Sequence, residues 1–223
     1  MSTDIATAAE FHLTDWWDKN KQRVIFFGGA LAVVALVVSF YTWNKKQREF
    51  NASEALANVE PGPGTTGAFL KVATDFSGTA AAGRALLLAA SSAFAEGKYV
   101  EAQNTCERFL KEFPDSPSRV TALLGVASSM DAQGKTAEAV TKYQDIVQRY
   151  ATDPAAVPAK SALARLLEKQ GQFAQAAALY QELMRLQQEA SYGLESMIRL
   201  QNLMAAHPEL MQPAGTNSAA QLP

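Results

Sequence analysis

Gly78-Thr79-Ala80-Ala81-Ala82-Gly83-Arg84-Ala85 has the glycine spacing of a phosphate-binding loop, but the side chains that would do the chemistry are missing. Arg84 stands where a lysine would reach the phosphates, Ala85 stands where a hydroxyl would hold magnesium, and no parallel-sheet pattern surrounds the segment. The only histidines, His12 and His207, lie in different segments, so a metal site or a histidine-based triad has almost no material. Cys106 is the only cysteine, which excludes an internal disulfide and a cysteine-based metal site. It falls on the core-facing position of a helix, where a packed thiol is expected rather than a reactive one. These residues predict a non-enzymatic protein with no catalytic residues, no cofactor and no metal.

The charge balance narrows the partners. Lys plus Arg is 20 and Asp plus Glu is 22, a formal charge of -2. From Ala80 to His207 there are 13 basic and 13 acidic residues, so no positive field gathers nucleic acid. What remains is a surface, and the elements that would build it repeat. Gly97, Gly134 and Gly171 recur every 37 residues. Five residues after each comes an alanine (Ala102, Ala139, Ala176), then a larger residue (Cys106, Tyr143, Tyr180), then an apolar one (Phe109, Ile146, Leu183). An alanine-rich apolar helix precedes each glycine, so the unit is helix, glycine turn, helix. The glycine supplies the turn, the alanine allows close crossing, and the larger residue plugs the gap between units.

This pattern resembles the tetratricopeptide repeat (TPR), whose usual period is about 34 residues. The extra length fits the loops Phe113 to Pro117 and Thr152 to Pro158. Alanine (Ala90, Ala127, Ala164) stands where the family usually has glycine in the first helix, which keeps the packing close. The concave surface of such a stack is made by the first helix of each unit. Its candidate partner-groove residues are Arg84, Leu87, Ser91 and Phe94; Thr121, Leu124, Ser128 and Asp131; and Ser161, Arg165 and Glu168. Family members that clamp a terminal carboxylate carry lysine and asparagine in these places, and Leu87 and Ser91 depart from that pattern. A groove beginning with Leu87 and Phe94 suits an extended or helical apolar segment, although Phe94 could instead pack inside its repeat.

Val24 to Trp43 is twenty residues without a charge, a length that as a helix matches the roughly 30 Å hydrocarbon core of a bilayer. Lys19, Lys21 and Arg23 flank one side, Lys45, Lys46 and Arg48 the other, and Trp16, Trp17, Phe40, Tyr41 and Trp43 lie near the two interfaces. The run is longer than a signal-peptide core and ends in aromatic residues where a peptidase needs small ones, so an uncleaved single-span anchor is expected. The flanking charges tie and leave orientation open. Gly28, Ala32, Ala35 and Ser39 share one face, a candidate membrane helix-packing face.

The expected organisation is all-α: residues 1-23 an N-terminal tail, mobile before Trp16; 24-43 the transmembrane helix; 44-64 a membrane-proximal helix to about Val59 and a Pro/Gly hinge at Glu60 to Gly64. Residues 65-210 form a TPR-like α-solenoid of three helix pairs plus a capping helix from Gln187 to Leu210, whose Tyr192, Leu194, Met197, Ile198, Leu200 and Leu203 are expected to cover the exposed face of the third repeat, and 211-223 a disordered tail. Thr66 to Asp75 reads as a short helix with Phe69, Leu70 and Val72 or Ala73 on its apolar side. This order, with the aromatic exit YTWNKKQREFNASEAL and then FLKVATDFSGTAAAGRALLLAASSAFAEGKYVEA, resembles the YfgM-like family, an ancillary subunit of the SecYEG translocon. The resemblance implies a bacterial inner-membrane protein with its tail in the cytoplasm and its repeats in the periplasm. Its implied partners are the SecYEG translocon, a PpiD-like chaperone and exported chains. An anchored scaffold for envelope assembly or cell division is the alternative.

Overall fold

The computed structural model describes the backbone of residues 3–60, 62, 64–185 and 190–211, and side chains within 16–60, 62, 64–185 and 192–210. Pro61 and Pro63 of the expected hinge, residues 187–189 of the expected cap and the tail 212–223 lie outside the described residues. The elements are α1 (Thr3–Ala57), α2 (Thr66–Asp75), α3 (Ala80–Ala95), α4 (Tyr99–Glu112), α5 (Arg119–Ala132), α6 (Thr136–Arg149), α7 (Ala156–Lys169), α8 (Phe173–Arg185) and α9 (Ala190–Ala206), with a 3-10 turn at Pro208–Met211. No strand occurs among the described residues.

Residues 1–51 and 52–223 form two compact units. In the first, the helix begins at Thr3, within the tail expected over residues 1-23, and no glycine or proline interrupts the chain before Gly28. The helix is long and apolar enough to cross a membrane: an 18-residue window reaches a mean hydropathy of 2.4, and 0% of it is buried within the protein. A core helix with this composition would be covered by protein.

The second unit begins inside α1. Ala52 is fully buried, and Ala55, Leu56 and Val59 pack on a core of Val72, Ala73, Ala85, Leu86, Phe109 and Ala122. The end of α1 therefore belongs to the second compact unit. On α2, Phe69, Val72 and Ala73 are buried and Leu70 is half-buried. The glycine-rich stretch before α3 is a helix start: Gly78 has φ 80°, and Thr79 Oγ1 accepts from Ala82 N at 3.1 Å, capping α3.

From α2 to α9 each helix packs on the next in chain order, so α3–α4, α5–α6 and α7–α8 stack as helix pairs. Gly97, Gly134 and Gly171 have φ of 76°, 78° and 75°, a left-handed turn that larger residues adopt only at a cost. Ala102, Ala139 and Ala176 are at most 1% exposed, and the apolar residues seven further on (Phe109, Ile146, Leu183) at most 2%. A second core runs from Ala90 through Tyr143 and Tyr180 to Leu200 and Leu203. On α9, Ser196, Leu200 and Leu203 face the stack, whereas Leu194, Met197 and Ile198, expected on the covering face, are exposed.

Candidate functional site: a groove along the first helices

Leu87, Ser91 and Phe94 lie at i, i+4 and i+7 on α3, the spacing that aligns side chains on one helix face. The corresponding positions on α5 are Leu124, Ser128 and Asp131, and on α7 Ser161, Arg165 and Glu168, each 37 residues on. The stack brings most of these together around two hollows. The first, with a cavity volume of about 320 Å³, takes Leu87, Ser91, Phe94, Thr121, Leu124 and Ser128 from the expected set. The second, about 460 Å³, takes Asp131, Ser161 and Arg165 and shares Phe94, Leu124 and Ser128 with the first.

Two expected groove residues are drawn elsewhere. The Arg84 guanidinium donates to Ser53 Oγ at 3.4 Å. Glu168 Oε2 accepts from the Tyr180 hydroxyl at 2.7 Å and lies 3.9 Å from Arg199 Nη1. Phe94 does two jobs: it is 39% exposed at the hollows and packs edge-to-face on Tyr99, ring centroids 5.1 Å apart.

The hollows differ in chemistry. The second carries Asp131, Arg165 and, from α9, Tyr192 and Glu195. The latter two are not among the expected groove residues, because no repeat arithmetic places a capping helix; Glu195 is also held by Arg199 Nε at 2.8 Å. The Tyr143 ring closes one side of this hollow and its hydroxyl donates to Ser128 Oγ at 3.1 Å. Burial pushes the Tyr143 hydroxyl above its ordinary pKa, with the bond to Ser128 opposing. Tyr180 is pushed up more strongly, by burial and then by its bond to Glu168.

The first hollow has no ionisable carboxylate, ammonium or guanidinium on its wall. Its floor is Ala90, Ala102, Cys106 and Gly125, small side chains where α4 and α5 meet α3. Cys106 occupies the plug position of the first repeat, and being shorter than Tyr143 and Tyr180 it leaves the position partly unfilled. Gly125 belongs to this arrangement, since a Cβ there would lie 2.5 Å from Cys106 Sγ. Burial pushes the Cys106 thiol up to about 11, so it stays protonated and acts as a packed apolar group.

A third hollow, about 650 Å³, lies between the end of α1, α2 and α3, with Leu56, Val59, Phe69 and Leu88 on its wall. Glu96 closes one edge, accepting from Gly64 N at 2.9 Å and Thr66 Oγ1 at 3.2 Å. On α1, Gly28, Ala32, Ala35 and Ser39 are all exposed, and a Cβ at Gly28 would meet nothing within 4 Å. Among the described residues no cluster of three or more His, Cys, Asp or Glu side chains could hold a metal ion.

A stack of glycine-turned helix pairs with a groove on the first helices defines a TPR-like solenoid. The family model described as tetratricopeptide repeat-like domain matches residues 14–144, and the chain belongs to that family. Among solved structures, it is similar to a kinesin-light-chain-type protein of Podospora anserina with nearly identical TPR-like repeats, at 19% identity and a TM-score of 0.53, covering 74% of this chain and 89% of that one. A single-substitution variant of the same protein aligns over the same shares at a TM-score of 0.54. At that identity the likeness shows the fold alone. No curated protein sequence matches the chain.

Proposed function

We propose that this is a non-enzymatic, membrane-anchored TPR protein that presents its groove to polypeptides beside a protein-export channel. The observation that carries the reading is the continuous run of groove residues from Leu87 to Arg165, apolar at one end and charged at the other, in a chain that also holds a helix apolar enough to span a bilayer. TPR grooves suit protein segments, and an anchor raises the local concentration of a weak binding surface wherever it is placed. The resemblance to the YfgM-like family supplies the place: the inner membrane, with α2 to α9 in the periplasm, next to SecYEG, a PpiD-like chaperone and emerging chains. On this reading the face of Gly28, Ala32, Ala35 and Ser39 meets a partner helix within the bilayer.

The test is site-specific photocross-linking in living bacterial cells from Leu87 and Phe94. The export reading expects many short-lived adducts with newly exported proteins, lost when export is blocked. A single discrete adduct with a protein unrelated to export refutes it and favours an envelope scaffold.

A further inference from the structure

We infer that the first hollow is a tyrosine-accepting pocket, which receives one tyrosine side chain of the bound polypeptide in the place that the chain's own tyrosines take in the next two repeats. This rests on the groove reading above and names what the groove selects.

Three observations converge. The plug position holds Tyr143 and Tyr180 in two repeats and Cys106 in the first, where the cysteine lines a hollow of about 320 Å³. The wall of that hollow carries hydroxyls and apolar groups but no charged side chain, so a neutral occupant with a polar tip matches it. Finally, Ser129 lines the hollow, is 1% exposed, and its Oγ has no hydrogen-bond partner among the described residues. A buried hydroxyl without a partner is costly, and an incoming phenol supplies both a donor and an acceptor.

The protein contains its own template for the contact. In the second repeat the Tyr143 hydroxyl donates to Ser128 at 3.1 Å. Ser91 is the residue 37 positions before Ser128, and it lines the first hollow. The ring of an incoming tyrosine meets Leu87, Phe94 and Leu124, and the lining of the hollow offers its hydroxyl the serines Ser91, Ser128 and Ser129. Leucine offers the apolar area without the hydroxyl, and a charged side chain finds no counter-ion.

Binding of short fluorescein-labelled peptides to the full chain in lipid nanodiscs, read by anisotropy, tests this. The peptides share one leucine-containing background with Tyr, Phe, Leu or Ala at the centre. Wild type is expected to bind the tyrosine peptide roughly tenfold tighter than the alanine one, the factor that about 1.4 kcal/mol supplies, with phenylalanine between them. Cys106→Tyr fills the pocket internally and is expected to abolish the preference while still binding the alanine peptide. Ser91→Trp, at an exposed position, covers the pocket from its rim and is expected to remove the ratio between the tyrosine and alanine peptides without touching the core. Equal wild-type affinity for all four peptides overturns the pocket and leaves the groove standing. A preference that survives in both variants also overturns it. No binding of any peptide to wild type refutes the groove reading itself, and the pocket with it.

Discussion

Replacing Gly134 by alanine isolates the turn that makes each repeat. Its φ is 78°, and an added Cβ would meet nothing within 4 Å, so the whole effect is conformational rather than steric crowding by neighbours. A left-handed alanine costs about 1–2 kcal/mol, and the loss of chain freedom in the unfolded state returns about 0.4–1 kcal/mol. The net expectation is a loss of about 1 kcal/mol. Gly134→Asn should cost less, because asparagine tolerates this region. The same change at Gly97 and Gly171, with φ of 76° and 75° and equally open surroundings, should add to about 3 kcal/mol for the triple variant. Gly67 is the control: it sits in α2 with open space and no positive φ, so Gly67→Ala should not destabilise. Urea unfolding in detergent micelles followed by far-UV circular dichroism reads these differences. Tryptophan fluorescence does not report on the repeats, because Trp16, Trp17 and Trp43 all lie in α1. A neutral Gly134→Ala, or an alanine no worse than asparagine, would refute the argument that the left-handed glycine terminates each first helix.

Removing single hydroxyls separates the two plugs. Tyr180→Phe deletes a 2.7 Å bond to a carboxylate and should cost about 1.5 kcal/mol, whereas Tyr143→Phe deletes a 3.1 Å bond to a serine and should cost about 1 kcal/mol or less, both read from urea midpoints. Acid should loosen the clasp between α2 and α3. Lys98, then the backbone N–H of Gly64, hold the Glu96 carboxyl at about 2 against an ordinary 4.5. A depressed pKa contributes stability above about 4.5 that is lost as pH falls toward about 2, so the difference between wild type and Glu96→Gln should shrink over that window.

The repeat unit was legible because its causes are local. A glycine, an alanine five residues on and a plug four beyond recur at fixed distance, and each has one physical job. Their burial follows: Ala139 and Ala176 at 0%, Tyr143 at 2% and Tyr180 at 0%. What was not legible depends on which distant group reaches a side chain first. Arg84 and Glu168 share the groove register, yet one bonds Ser53 and the other Tyr180, neither of which the register of the first helices contains. Tyr192 and Glu195 enter the second hollow from α9, an element outside the 37-residue period. The exposed Leu194, Met197 and Ile198 show the complementary effect. Apolar spacing on a capping helix identifies the helix, but the angle at which it crosses α8 decides which of its faces is covered.

Where the plug is tyrosine, its hydroxyl is spent on a first-helix residue of the groove face: Ser128 in one repeat, Glu168 in the next. Where the plug is Cys106, Ser91 stays exposed and Ser129 Oγ has no hydrogen-bond partner among the described residues. The first hollow thus lacks the tyrosine hydroxyl contact that the next two repeats make for themselves. An apolar, hydroxyl-lined entrance followed by Asp131 and Arg165 favours a segment with an aromatic residue at one end and polar residues after it. Reversing the order of those residues in a peptide should weaken binding even though its composition is unchanged.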